Sequence, residues 1–278
     1  MIKIFHEAPK SIFTAVQNYT AGDYALVHLF EEDPEYFNLF KKAVEVGREV
    51  ILDNSIFELG KAFDPERFLY WINELKPTYY IVPDVLEDGY ETKNNMEKWI
   101  SEYKDRVTCD AKIIGVVQGS TYENLVACYQ YMSENPAVDK IAISFDYSYY
   151  QKSFPHANKY AAWMLGRVKF LSDLVEDGII NYNKPHHLLG VALPAEGMFY
   201  RDVEEYRFLD SIDTSNPVVH GWKGIEYEGS VGPTTKDPTK LFTLMNEEVQ
   251  LHQWKSIRHN IESFDEIWNG LICRTRRD

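Results

Sequence analysis

Short runs of apolar, β-branched residues recur along the chain, and between them the apolar positions take up the three-to-four-residue spacing of a helix face. Eight such runs, at 2–5, 25–30, 49–53, 79–84, 112–118, 140–145, 187–193 and 211–214, predict strands. The intervening segments 34–46, 65–75, 90–103, 122–133, 157–176 and 196–208 predict helices. Asp33-Pro34 and Asp64-Pro65 mark two helix starts, since a capping carboxylate there precedes a proline whose missing N–H costs nothing at the first helical position. Strands alternating with helices imply a parallel sheet, and eight strands is the barrel number. The expected fold class is α/β, a (β/α)8 TIM barrel over 1–236. After the last strand, VVHGWKGIEYEGSVGPTTKDP is rich in glycine and aromatics, too irregular for a helix, and is expected to cover the mouth of the pocket. Residues 238–270 predict one or two helices burying Leu241, Leu244, Met245, Val249, Ile257, Ile261, Phe264 and Trp268, a C-terminal helical extension (237–278) packed on the barrel.

Composition narrows this picture. A chain of 278 residues with 45% apolar content suits one barrel-sized domain, and no linker, repeat or low-complexity tract divides it. The formal charge of −14 argues against indiscriminate binding to nucleic acid, which depends on Lys and Arg to displace counterions from phosphates. From Lys240 onward, however, 6 basic residues balance 6 acidic ones, so the negative surplus sits in 1–239. The RTRRD ending, with Arg274, Arg276 and Arg277, is either a phosphate-facing tail or a solvated end to the last helix. Cys109, Cys128 and Cys273 lie far apart with no CxxC pattern, which encodes neither a disulfide framework nor a zinc knuckle. MIKIFHEAPK turns polar quickly and no run approaches the roughly 18 apolar residues of a membrane span. A cytoplasmic protein without a membrane partner is expected.

The dinucleotide GxGxxG, the phosphate loop GxxxxGK[ST] and the zinc-helix HExxH are absent. His186-His187 is the only adjacent histidine pair, and neighbours on a strand face opposite ways, so no metal role is expected. Three strand ends carry candidate chemistry. Asp53 closes the run Val50-Ile51-Leu52, either as a cap on the following turn or as a functional carboxylate, and Asp84 in YYIVPDVLEDG allows the same two readings. Asp213 in LDSIDTSNP sits where apolar and small polar residues alternate, which directs it inward, and a carboxylate there is costly unless paired or functional. Gln118 in GVVQGS is followed by Gly119, which permits close approach. Its amide offers a donor and an acceptor, suited to reading the edge of a heterocyclic base or to tying down a loop.

Taken together these segments resemble the tRNA-guanine transglycosylases, eight-stranded barrels that exchange guanine for a 7-deazaguanine base. GVVQGSTYENL is similar to their GIVQGG-type segment, LDNSIFE to TDSGGFQ, HLLGVALPAE to YLMGVGxPED, and DSIDTSNP to DMFDCVLP. The likeness spans about residues 45–220. Its DxxDxxxP register sets their nucleophile on Asp213 and not on Asp210. Their cysteine-rich zinc insert is missing, and Pro217-Val218-Val219-His220 replaces the arginines that follow the nucleophile. Those features dock tRNA, so the resemblance is closer to the compact phage and bacterial enzymes that insert 7-deazaguanines into DNA.

The resemblance implies a covalent aspartyl–sugar intermediate on Asp213, with Asp53 as general acid/base under a pKa raised by burial. It implies a base pocket in which Asp84 accepts from the guanine N1 and amino hydrogens and Gln118 addresses O6. Phe57 and Leu189 sandwich the ring, Gly119 and Gly190 belong to the same pocket, and Ser144 stands where the family has a glycine beside the 7-substituent. The target nucleotide has to leave the stack. His220, Lys223, Arg274, Arg276 and Arg277 are the candidate phosphate contacts. The partners implied are a guanine nucleotide of DNA and a free base such as 7-cyano-7-deazaguanine, with no cofactor, in the host cytoplasm if the chain is phage-encoded; a homodimer is left open. The competing readings are exchange on tRNA, a non-catalytic transglycosylase-like accessory subunit, which Asp53 and Asp213 together argue against, and an unrelated barrel enzyme acting on a small metabolite.

Overall fold

The computed structural model describes residues 1–270; Cys273, Arg274, Arg276 and Arg277 lie outside them. Eight parallel strands, β1 (Lys3–His6), β2 (Asp23–Leu26), β3 (Val50–Asp53), β4 (Tyr79–Ile81), β5 (Lys112–Val117), β6 (Lys140–Ile143), β7 (His186–Leu188) and β8 (Leu209–Thr214), form one sheet. From β2 to β8 each strand pairs with the next in sequence, and β8 returns to β1 with Phe5 opposite Asp213. No ladder joins β1 to β2. At that seam the Thr20 hydroxyl donates to the Ile4 carbonyl at 2.8 Å and accepts from the His6 N–H at 3.0 Å, while the Ala21 N–H donates to Ile4 at 3.1 Å. The sheet is a nearly closed (β/α)8 barrel.

The helices are α1 (Phe13–Val16), α2 (Val27–Glu32), α3 (Pro34–Glu45), α4 (Ile56–Leu59), α5 (Pro65–Leu75), α6 (Gly89–Glu102), α7 (Tyr122–Glu134), α8 (Ser148–Ser153), α9 (Lys159–Glu176), α10 (Gly197–Tyr200), α11 (Asn216–Trp222) and α12 (Leu251–Asn269). Asp33 and Asp64 cap α3 and α5 as their Asp-Pro pairs predict, accepting from backbone N–H groups of the first turn.

Four segments depart from the sequence reading. The strand expected at 187–193 is β7 only as far as Leu188, because Gly190 turns the chain out of the sheet with a φ of 59°. The run expected as a strand at 25–30 divides: β2 stops at Leu26 and the buried Val27, Leu29 and Phe30 continue as α2, because a short apolar run suits a buried helix turn as well as a strand. The expected helix at 196–208 is only α10 flanked by two 3-10 turns, interrupted where Asp202 takes a φ of 61°. The stretch after β8 begins with α11 before turning irregular.

Alternation along the strands directs every second side chain into the barrel. At its base lies a charged layer. Lys140, fully buried, holds Asp210 at 2.7 Å and rests 4.2 Å above the Tyr79 ring, while Lys3 reaches Glu49 at 2.8 Å. A buried ammonium survives there because its partners replace the lost water. The extension is one helix, α12, started by a reciprocal Gln250–Gln253 capping box and burying Ile257, Ile261, Phe264 and Trp268, with Val249 half-buried just before it. Asn260 of α12 accepts from the Tyr227 N–H at 2.7 Å and donates to the Ile225 and Pro217 carbonyls, which fastens the helix to α11 and its following loop. Among the described residues no helix is long and apolar enough to cross a membrane.

Candidate active site

At the C-terminal ends of the strands lies a cavity of about 320 Å³, within the roughly 300–1,000 Å³ usual for small-ligand sites. Asp53, Phe57, Asp84, Gln118, Ser144, Leu189, Gly190 and Asp213 all line it. They arrive from β3, β4, β5, β6, β7 and β8 or the loops just beyond.

Asp53 ends β3, and its Oδ2 accepts from the Ser55 N–H at 2.8 Å. Ser55 takes a left-handed conformation (φ 60°), a strained choice for a residue with a Cβ, and this turns the chain sharply from β3 into α4. Asp53 therefore braces the turn as a cap and at the same time faces the cavity. Loss of water raises its pKa well above the usual carboxylate range; repulsion from Glu58, Asp84 and Asp213 adds to this, and the Ser55 bond opposes it.

Asp84 is held by two amides. The Asn54 Nδ2 donates to its Oδ1 at 2.8 Å and the Gln118 Nε2 to its Oδ2 at 2.7 Å. Burial raises the Asp84 pKa, against the pull of both donors. Gln118 Oε1 accepts from the Glu87 N–H at 2.8 Å, which fixes the amide with its NH2 toward Asp84. Gln118 thus ties a loop and edges the cavity at once. Gly119 does not line the cavity. A Cβ there would meet the Leu125 backbone nitrogen at 2.8 Å, so this glycine serves the close packing of the strand end on the start of α7.

Asp213 is 5% exposed, and its Oδ1 accepts from the Gly190 N–H at 3.0 Å and lies 3.0 Å from His187 Nε2. Gly190 reaches it through a φ of 59°, where a Cβ would meet the Phe145 ring at 2.6 Å. Behind Asp213 runs a buried file. Lys140 Nζ donates to Ser211 Oγ at 3.2 Å, and Ser211 Oγ lies 2.9 Å from His187 Nδ1. One tautomer satisfies every member: the lysine donates to the serine, the serine hydroxyl to Nδ1, and Nε2–H to Asp213. Burial keeps the His187 pKa below its usual value despite the Asp213 hydrogen bond, which preserves this neutral form. Tyr24 stacks on the imidazole with planes 6° apart. The opposed facing of His186 and His187 holds: His186 lies 2.9 Å from the Tyr129 hydroxyl and stacks on that ring, and only His187 looks into the barrel.

The loop carrying Leu189 and Gly190 is braced from outside. Arg167 of α9, fully buried, forks onto Glu196 with Nε and Nη2 each 2.7 Å from a carboxylate oxygen, and its Nη1 donates to the Leu189 carbonyl at 2.8 Å. Phe57, on α4, lines the cavity as Leu189 does and lies 5.7 Å from the Phe145 ring. Ser144 Oγ donates to Asp146 at 3.1 Å.

Several residues of the site are not among those expected from the sequence: Glu7, Glu58, Lys159, Lys236 and Lys240 line the cavity, and His187 contacts Asp213 without lining it. Glu7 and His187 were legible by alternation, lying two residues from Phe5 on β1 and two residues before Leu189 on β7. Burial raises the Glu7 pKa well above the usual range, with Asp213 and Glu58 adding to it. The segment 236–242 also lines the mouth, so the boundary expected at 236/237 runs through the site.

Of the expected phosphate contacts, the two among the described residues, His220 and Lys223, do not line the cavity. His220 is 4% exposed within α11, its Nδ1 3.0 Å from the Asn216 carbonyl and its ring edge-on to Tyr227. Lys223 is engaged by both Asp237 oxygens, at 2.8 and 2.9 Å. Arg274, Arg276 and Arg277 lie outside the described residues. Among the described residues no three His, Cys, Asp or Glu side chains group so as to hold a metal ion. No protein-family model matches the chain, and a comparison with curated proteins finds no match.

Proposed function

We propose that the chain is a base-exchange transglycosylase that replaces guanine in DNA with a free 7-deazaguanine, such as 7-cyano-7-deazaguanine. The observation that carries this reading is the meeting of Asp53, Asp84, Gln118 and Asp213 around one cavity walled by Phe57 and Leu189. In this reading the base lies between those walls with its N1 and amino hydrogens on Asp84. Gln118 has its carbonyl occupied by Glu87, so it can offer a ligand only a remaining N–H, which suits an O6 carbonyl and disfavours an amino group at that position.

Asp213 Oδ1 is occupied by Gly190 and His187, and among the described residues Oδ2 has no hydrogen bond, which makes Oδ2 the attacking oxygen. Oδ2 forms a bond to C1′ as the bond to guanine N9 breaks, its electron pair leaving with the base and a proton coming from Asp53. In the second half, Asp53 takes the N9 proton of the incoming base, N9 attacks C1′, and Asp213 is released. A proton carrier of this kind needs the raised pKa that burial gives Asp53.

The test offers the purified chain labelled 7-deazaguanine with guanine-containing DNA and, separately, tRNA. Label is expected in DNA, and Asp213→Asn is expected to abolish it with the fold retained. Undiminished incorporation by that variant refutes the nucleophile; label in tRNA alone moves the substrate.

A further inference from the structure

We infer that Lys159, Lys236 and Lys240, at the mouth of the cavity, form a phosphate site, so that the pocket takes a nucleotide phosphate ester in preference to a bare nucleoside. The inference rests on the base-exchange reading for the base end of the ligand and on the mouth alone for its phosphate end.

These three are the only cationic side chains lining the cavity among the described residues. Each rests on an aromatic face. Lys236 Nζ is 4.6 Å from the Phe145 centroid, Lys240 Nζ 5.3 Å from Phe57, and Lys159 Nζ 5.4 Å from Trp163. Those rings adjoin, with Phe145 5.7 Å from Phe57 and 5.7 Å from Trp163, so the three ammonium groups ring one opening. None forms an ion pair with a carboxylate among the described residues, unlike the neighbouring Lys223. A ring face attracts a cation without taking its hydrogen bonds, which leaves the N–H groups able to donate to an anion.

The support beneath them is built. Asp237 anchors the 236–242 strap by accepting from Lys223 and from the Thr239 N–H; burial alone would raise its carboxyl, but these bonds hold it at about 2. Asn158, the cap of α9, donates to the Thr234 carbonyl at 2.6 Å and so joins the strap to the residue preceding Lys159. Lys236 faces Glu7, Asp213, Asp146 and Glu58 across the cavity, and burial still lowers its pKa. One cavity thus holds carboxylate acceptors, Asp84 among them, and three ammonium donors. A nucleotide carries the complement of both, a hydrogen-bond-donating base edge and a phosphate.

The experiment titrates the full chain with guanine, 2′-deoxyguanosine, its 5′- and 3′-monophosphates, inorganic phosphate and a short single strand holding one guanine, by calorimetry at low and high salt. At least one monophosphate is expected to bind about 10- to 100-fold more tightly than the nucleoside, the worth of one or two charge-assisted hydrogen bonds. That advantage should shrink with salt. Lys236→Ala combined with Lys240→Ala should remove it while guanine affinity stays within about 2-fold of the parent, and Lys236→Arg should retain most of it. A stronger salt dependence for the strand than for the monophosphate would identify the source as a polymer. Equal affinity for nucleoside and both monophosphates, or a preference that survives the double substitution, overturns the inference. Base exchange without a phosphate preference refutes this site and leaves the proposed function standing. A lysine-dependent phosphate preference without guanine binding or exchange does the reverse.

Discussion

Replacing Arg167 with methionine tests whether the wall of the pocket is held from outside. The side chain is fully buried and supplies two 2.7 Å bonds to Glu196, itself 1% exposed, and one of 2.8 Å to the Leu189 carbonyl. Methionine keeps much of the stem but leaves the Glu196 carboxylate buried with the Tyr200 hydroxyl, 3.0 Å away, as its remaining partner. Breaking a buried pair from one side costs about 3–5 kcal/mol, chiefly for the charge left behind. With an unfolding entropy of about 2.1 cal/mol/K per residue over 278 residues, that lowers Tm by about 5–9 °C. Removing both charges, as Arg167→Met with Glu196→Leu, should make the double variant clearly more stable than the two single losses summed, although the Tyr200 hydroxyl and the Leu189 carbonyl left unpaired cost roughly 1–3 kcal/mol each. Equilibrium unfolding in urea of the parent, both single variants and the double closes the cycle. A single-variant loss under about 1 kcal/mol, or a double variant as unstable as the two singles summed, refutes the argument that the pair is coupled and desolvated.

Two further outcomes follow from the site. The Asp53 pKa is raised in the folded chain, so the group's contribution to stability is intact below its unfolded value of about 3.9 and is lost as pH climbs through the folded value. Asp53→Asn cannot ionise and is expected to have the higher Tm at pH 8 but the parent's Tm near pH 4; an equal difference at both pH values contradicts the desolvation account. His187→Phe keeps a ring against Tyr24 but removes the donor to Asp213, and base exchange should fall by about 10- to 150-fold, the worth of one hydrogen bond to a charged group. Free-base affinity should be unchanged, and a loss confined to base affinity would show that His187 shapes the pocket without orienting the carboxylate.

What was legible in the chain was whatever broke a period abruptly. Asp53 stood out because it closes a buried apolar strand with a charge, Asp213 because alternation turns its charge inward, and Asp33-Pro34 because a helix start suits both residues together. The run at 25–30 was ambiguous because Val27 to Phe30 is buried on nearly every side, which erases the difference between a period of two and one of 3.6. His187 was missed although its signal was present. The alternation that ruled out a shared metal also turned one of the two imidazoles toward Asp213, and that half of the inference was not drawn. Lys236 left no such mark, for it lies in a stretch of glycine, proline and threonine with no period at all, and only the anchoring of Asp237 and Thr234 brings it over the cavity.

The junction of β1 and β2 acts as a clasp. Elsewhere around the barrel a lost hydrogen bond leaves its ladder neighbours in place, but here two of the closing bonds pass through the single hydroxyl of Thr20. Closure on that side therefore leans on one rotamer, with the backbone bond from Ala21 N–H to the Ile4 carbonyl beside it. The strand it secures is the one whose other edge holds β8, with Phe5 opposite Asp213 and the Glu7 N–H on the Thr214 carbonyl at 3.1 Å. Undoing the clasp loosens the strand that pairs with β8 beside Asp213, so the seam bears on the site through a residue that does not line the cavity.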